Sequence, residues 1–113
     1  MIVIFCLYYD RISKTALVGM TRIMALEYAS HKIRVNCVCP TAIETELVRK
    51  FIEESEDQEA SRKIVAAINP MIGPGDKLPQ PEDVAGIVAF LCGPEAKFIN
   101  GAIIPVDGGY SCN

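Results

Sequence analysis

Apolar side chains recur at helical spacing from about Ser13 to Ser30, where Ala16, Leu17, Met20, Ile23, Met24 and Tyr28 form one stripe. Ser13 or Asp10 is placed to cap this helix, and His31 and Lys32 put positive character near its end, where the helix dipole favours it. The pattern then changes period. IRVNCVCP is a short β-branched run ended by proline, which predicts a strand buried on both faces. Within it Cys37 and Cys39 alternate, so they share one side of the strand and pack as small hydrophobes. TAIETELVRKFIEESEDQEASRKIVAAI is weakly helical with Thr41 or Thr45 as candidate caps, and EESEDQE reads as a solvated helix face. NPMIGPGDKLPQP is a loop. Pro81-Glu82-Asp83 opens a helix that runs to about Cys92, and Gly93-Pro94 stop it. AIIPVDGG is a last strand with a glycine turn, and Pro105 puts it at a sheet edge or a bulge. At the other end MIVIFCLYY reads as a buried strand.

Helix, buried strand, loop, helix and strand in this order predict an α/β fold with a mainly parallel sheet. The strands number two or three, too few to complete an open doubly wound sheet, so the expected fold is a partial one. Its unpartnered apolar strand edge also predicts poor solubility.

Composition narrows the function. Of the 113 residues, 50% are hydrophobic and 22% charged, which excludes a disordered chain. A net charge of −3 argues against a nucleic-acid binder. The apolar N-terminal run is nine residues long, too short for a bilayer, and lacks a basic leader and a small-residue cleavage site, so neither a membrane segment nor a signal peptide is expected. Five dispersed cysteines and one histidine offer no zinc-site spacing, and no metal is expected. Reduced thiols suit the cytoplasm, with a mitochondrial or peroxisomal location as the alternative.

Three stretches carry a resemblance: SKTALVGMTRIMALEYASHKIRVNCVCP, then PTAIET, then PEDVAGIVAFLCGPEAKFINGAIIPVDGG. Together they resemble the C-terminal half of a short-chain dehydrogenase/reductase, nearest to the branch of 3-oxoacyl-carrier-protein reductases and carbonyl reductases. The resemblance covers residues 13–113; residues 1–12 form an apolar segment unlike the family. It implies the C-terminal half of a Rossmann-type, doubly wound parallel sheet, NADP or NAD as cofactor, and hydride exchange with a small carbonyl substrate. It also implies a homo-oligomer built through the C-terminal helix and strand.

In the family a tyrosine works with a lysine four residues on: the lysine holds the nicotinamide ribose and lowers the phenol pKa. Lys14 matches that lysine and is the candidate for both catalysis and cofactor binding. Asn36 matches the structural asparagine of the IRVN strand. Pro40, Ile43 and Thr45 match residues that meet the nicotinamide, its carboxamide and a nearby phosphate; Thr45 alternatively serves only as a helix cap. Residues 44–80 correspond to the mobile substrate-binding loop.

The departures are specific. Asp10 stands four residues before Lys14, while Tyr9, the candidate phenol, is one residue early and about 100° round a helix. Tyr9 alternatively closes the hydrophobic N-terminal segment. Thr41 replaces the family's glycine after Pro40. No serine precedes Tyr9, and no glycine-rich dinucleotide turn occurs. Two functions are therefore expected in competition. One is a carbonyl-reducing oxidoreductase whose N-terminal half is absent from this chain, inactive as it stands. The other is a non-catalytic interaction or oligomerisation module.

Overall fold

The computed structural model describes residues 2–5, 11–73 and 75–112, with side chains from Thr15 onward. Three strands form one parallel sheet in the order β1 (Ile2–Phe5), β2 (Val35–Pro40), β3 (Ile103–Val106). The register runs from Ile2 opposite Val35 to Phe5 opposite Val38, and from Cys37 opposite Ile103 to Pro40 opposite Val106. Ile2–Phe5 of the N-terminal run thus form a strand, as its apolar pattern predicts, and the rest of the run lies outside the described residues. Pro105 lies on an edge strand in unbroken register, where its missing N–H costs no ladder bond.

Helix α1 (Arg11–Glu27) joins β1 to β2. It starts earlier than its stripe suggests, which leaves Ser13 inside the first turn and not at the cap. The stripe itself is displaced. Thr21 and Ala25 are buried and Leu17 and Met24 half-buried, whereas Met20, Ile23 and Tyr28 are exposed. The helix is apolar on two sides, so periodicity alone could not tell which side meets the sheet. Thr21, a polar residue at a core position, is satisfied by donating to the carbonyl of Leu17 at 2.8 Å. A 3₁₀ turn follows at Ala29–His31, and Lys32 closes it in the left-handed region at φ 59°.

The expected single helical stretch after β2 is two helices, α2 (Glu46–Glu53) and α3 (Gln58–Ala67). The break, residues 54–57, falls inside the acidic run EESEDQE, whose outer residues Glu53, Gln58 and Glu59 do lie on helices. Asp57 caps α3 by accepting from the Ala60 N–H at 2.9 Å, a role that asparagine, aspartate and serine take in preference to helix interiors. Helix α4 (Pro81–Cys92) opens with the Asp83 carboxylate accepting the Gln80 N–H at 2.7 Å.

One core lies between α4 and the sheet, where Val38, Ile43, Val84, Leu91 and Ala96 pack together with Ile87, Ile99 and Ile104 beside them. Val35 and Cys37 point to the other face of β2 and are also fully buried, and α1 packs on β2. The sulfurs of Cys37 and Cys39 lie 3.7 Å apart, confirming that they share a face.

Side chains stitch β2 to the segment before β3. Asn36 donates from Nδ2 to the Ile99 carbonyl at 3.0 Å and accepts the Ala102 N–H at 3.0 Å. Asn100 accepts the Val35 N–H at 2.9 Å and donates to Ala25 of α1 at 2.9 Å. Arg34 donates to the carbonyls of Leu91 and Ile99 at 2.6 and 3.2 Å, placing a cation at the C-terminal end of α4. These bonds hold β2 and β3 in the register that brings their C-terminal ends to one rim.

Candidate functional site

That rim is where open parallel sheets take ligands, because the loops after neighbouring strands diverge there and leave a crevice. Here a cavity of about 700 Å³ opens beside the ends of β2 and β3. Thr41 and Ile43 follow β2, Gly108 follows β3, and Asn69, Lys77 and Leu78 come from the segment between α3 and α4. Two turns give the wall its shape. Gly108 has φ +57°, a backbone conformation that favours glycine, and a Cβ there would stand 3.1 Å from Met71 Cγ, close enough that Met71 would have to shift. At the neck of the 44–80 excursion the Glu44 N–H donates to Pro79 at 2.8 Å, while Gln80 Nε2 donates to the Glu44 carboxylate at 2.7 Å.

Asp107 is partly desolvated, which raises its pKa, but the Ser111 side chain and the Ser111 and Gly109 amides outweigh this and hold the carboxyl below the ordinary 3.8. It accepts from Gly109 at 3.0 Å and from Ser111 at 2.9 Å, fixing the glycine turn after β3. Asp83 is engaged at the start of α4. Lys77 is the cation on the cavity rim among the described residues, and its surroundings are otherwise largely apolar: Ile43, Ile72, Leu78 and Val106. With Asp83 and Asp107 also in the lining, Lys77 sets no preference for an anion, and the cavity suits a ligand with an apolar body.

The residues marked in the sequence fall as follows. Pro40 ends β2 and is buried. Ile43 is 8% exposed, lines the cavity and also anchors in the core. Thr45 is the N-cap of α2 and accepts the Val48 N–H at 3.4 Å, so its capping role is real while its own hydroxyl proton stays available. Thr41 is not a cap. It is buried and donates to Asn69 Oδ1. Lys14 lies in the first turn of α1, with its side chain outside the described residues. Tyr9 and Asp10 also lie outside them. Asn36 is fully buried and bridges two backbone groups, as the IRVN pattern implies. His31 is exposed on a turn near Ser30. No group of three or more metal-ligating side chains occurs among the described residues.

Sequence reasoning missed Asn69 and Lys77 as wall residues. Asn69 precedes a proline in a stretch rich in turn formers, and nothing local distinguishes a buried asparagine from a loop one.

A family model described as enoyl-(acyl carrier protein) reductase matches residues 8–111. A tropinone reductase homologue of Arabidopsis thaliana is 42% identical over 101 residues, which is 89% of this chain and 35% of that protein. Meso-2,3-butanediol dehydrogenase of Serratia marcescens is 39% identical over 97 residues, covering 86% of this chain and 35% of the enzyme. Among solved structures, a C-terminal deletion mutant of Thermoplasma acidophilum aldohexose dehydrogenase superposes with a TM-score of 0.76 at 35% identity, over 98% of this chain and 50% of that one. The chain spans about a third of the length of these curated relatives. With its parallel sheet and its match across nearly all residues, the chain belongs to the short-chain dehydrogenase/reductase family.

Proposed function

We propose that these residues form the C-terminal part of an oxidoreductase that uses NADP or NAD to interconvert a small carbonyl compound and its alcohol. The observation that carries this reading is the family match through Pro40–Thr45 together with the cavity at the sheet's C-terminal rim. The residues present fit a nicotinamide nucleotide. Pro40 and Ile43 give a rigid apolar surface for the nicotinamide. Thr45 keeps a hydroxyl proton for a phosphate oxygen, at the start of a helix whose dipole favours an anion. Lys14 is assigned to the nicotinamide ribose and to lowering the pKa of the family's tyrosine. The bound nicotinamide supplies or accepts the hydride. The cavity takes the substrate, with its apolar wall against the substrate's body and Lys77 at the rim.

The 113 residues alone are proposed not to turn over a ketone. They hold no glycine-rich turn for the diphosphate and no tyrosine four residues before Lys14. The test is NADPH and NADH oxidation with a panel of ketones, using the chain alone and a chimera in which its residues 13–113 replace the corresponding C-terminal part of the Serratia enzyme. Activity in the chimera and silence in the chain support the assignment. A folded chimera that binds no cofactor overturns it.

A second reading is favoured by Phe98 and Phe90, which are 98% and 44% exposed on and just after α4. Apolar rings in water mark an interaction surface. On that reading α4 and β3 form a homo-oligomer contact, and the chain acts as a non-catalytic module. Cofactor-dependent turnover by the chimera separates the two readings, and light scattering across concentration tests the contact itself, since a module without an oligomer has no role left.

A further inference from the structure

Asn69 lies two residues beyond α3 and is 3% exposed, while Thr41 directly follows β2 and is 4% exposed. Four hydrogen bonds converge on Asn69. Its N–H donates to Ala66 at 3.0 Å, and its carbonyl accepts the Ile72 N–H at 2.9 Å. Its Nδ2 donates to Val65 at 2.8 Å, and its Oδ1 accepts the Thr41 hydroxyl. The first three are local and tie the end of α3 to itself. The fourth reaches across 28 residues and ties that knot to the end of the central strand.

We propose that Thr41 and Asn69 form a latch that holds α3 and the following turn against the mouth of the sheet, making Thr41 the positioning residue for that wall of the cavity. The family's glycine at this position has no hydroxyl, so the tie comes with the departure to threonine. Without the hydroxyl, the buried Oδ1 of Asn69 loses its partner in a place water scarcely reaches, a loss that favours local opening. Among the hydrogen bonds of the described residues, the 44–80 excursion would then keep the two at its neck, between Glu44 and the Pro79–Gln80 pair. Opening of that kind is local, because β2 and α4 keep their own core around Val38 and Leu91. The latch goes beyond the oxidoreductase reading and is tested without any cofactor.

Hydrogen exchange read by mass spectrometry on the full chain provides that test. In Thr41→Val the amides of residues 58–73 are expected to exchange about tenfold faster, with β2 and α4 unchanged. Thr41→Ser restores the original rates because it keeps the donor. Asn69→Ala accelerates the same segment at least as much, since it also removes the Val65 bond, and adding Thr41→Val to it brings no further acceleration, because the bond between the two residues is already gone. If Thr41→Val does not fold, the serine and Asn69→Ala comparisons carry the test. Unchanged rates at 58–73, acceleration spread evenly over all elements, a serine variant as fast as valine, or additive effects in the double variant would each overturn the latch.

Discussion

Replacing Asn36 by leucine isolates one part of the fold. The side chain is fully buried and makes two bonds, to the Ile99 carbonyl and from the Ala102 N–H, both 3.0 Å long. Leucine has the same branched outline, with methyls in place of the amide oxygen and nitrogen, so Asn36→Leu leaves no cavity and removes both bonds, and its greater bulk adds to the loss. Two backbone groups then lack partners, at about 1–3 kcal/mol each when buried. Gly101 and Ala102 are half-buried, and water can reach part of that turn, which pulls the sum to the lower half of the range, about 3 kcal/mol. Native stability runs at about 0.05–0.15 kcal/mol per residue, so this loss is a large share of the total. With a urea m-value of about 1–3 kcal/mol per molar, the midpoint falls by about 1–3 M at unchanged m. Circular dichroism during urea unfolding reads both quantities. A midpoint within 0.3 M of the parent, a threshold set at about a tenth of that shift, would refute the view that Asn36 stitches β2 to the turn before β3.

Leu91 is fully buried in the core between α4 and the sheet, so Leu91→Ala is expected to cost about 2–5 kcal/mol, read as a lowered thermal midpoint. Asp107 has its folded pKa depressed, so its contribution is fully present above about pH 4, the ordinary carboxylate range, and is lost as pH falls through the folded value. Exchange at the Gly109 and Ser111 amides, corrected for intrinsic rates, is therefore expected to lose protection below pH 4 in the parent; in Asp107→Ala that protection is already absent at neutral pH, and a parent profile flat down to pH 2 contradicts this. Ile23 and Leu26 are 59% and 81% exposed on α1, so the isolated chain is expected to self-associate at micromolar concentrations. Sedimentation showing a monomer at every concentration would contradict that expectation.

Much of the architecture was legible because each element has one dominant signal. The run IRVNCVCP is β-branched, carries no polar residue after Asn36 and ends in proline, which reads as a short buried strand; Pro81-Glu82-Asp83 carries both proline and acidic helix-start signals. The burial of α1 was not legible, because Met20 and Ile23 are as apolar as Leu17 and Met24, and the choice of face depends on which residues are small enough to meet a sheet: Thr21 and Ala25. The break at residues 54–57 was hidden for another reason. Its acidic residues suit a helix surface and a cap equally, and Asp57 caps only because the chain turns there. At the cavity, Ile43 was marked by motif and lines the wall, and Thr45 was marked both for a phosphate and as the cap it forms, but Asn69 joins Thr41 through a contact 28 residues apart, which no local pattern encodes.

The central claim, that residues 13–113 are a working C-terminal part of a nicotinamide-dependent oxidoreductase, is met most directly by the chimera with the Serratia enzyme, joined two residues after the family's tyrosine so that Lys14 falls four residues on from it. Its NADPH- or NADH-dependent reduction of a ketone should be measurable and should fall about a hundredfold or more in Lys14→Ala, as expected when a group that tunes a proton donor is removed. The chain alone should give no rate. A folded chimera that neither binds nor oxidises the cofactor, or a chain whose own Lys14-dependent turnover is measurable, would contradict the account.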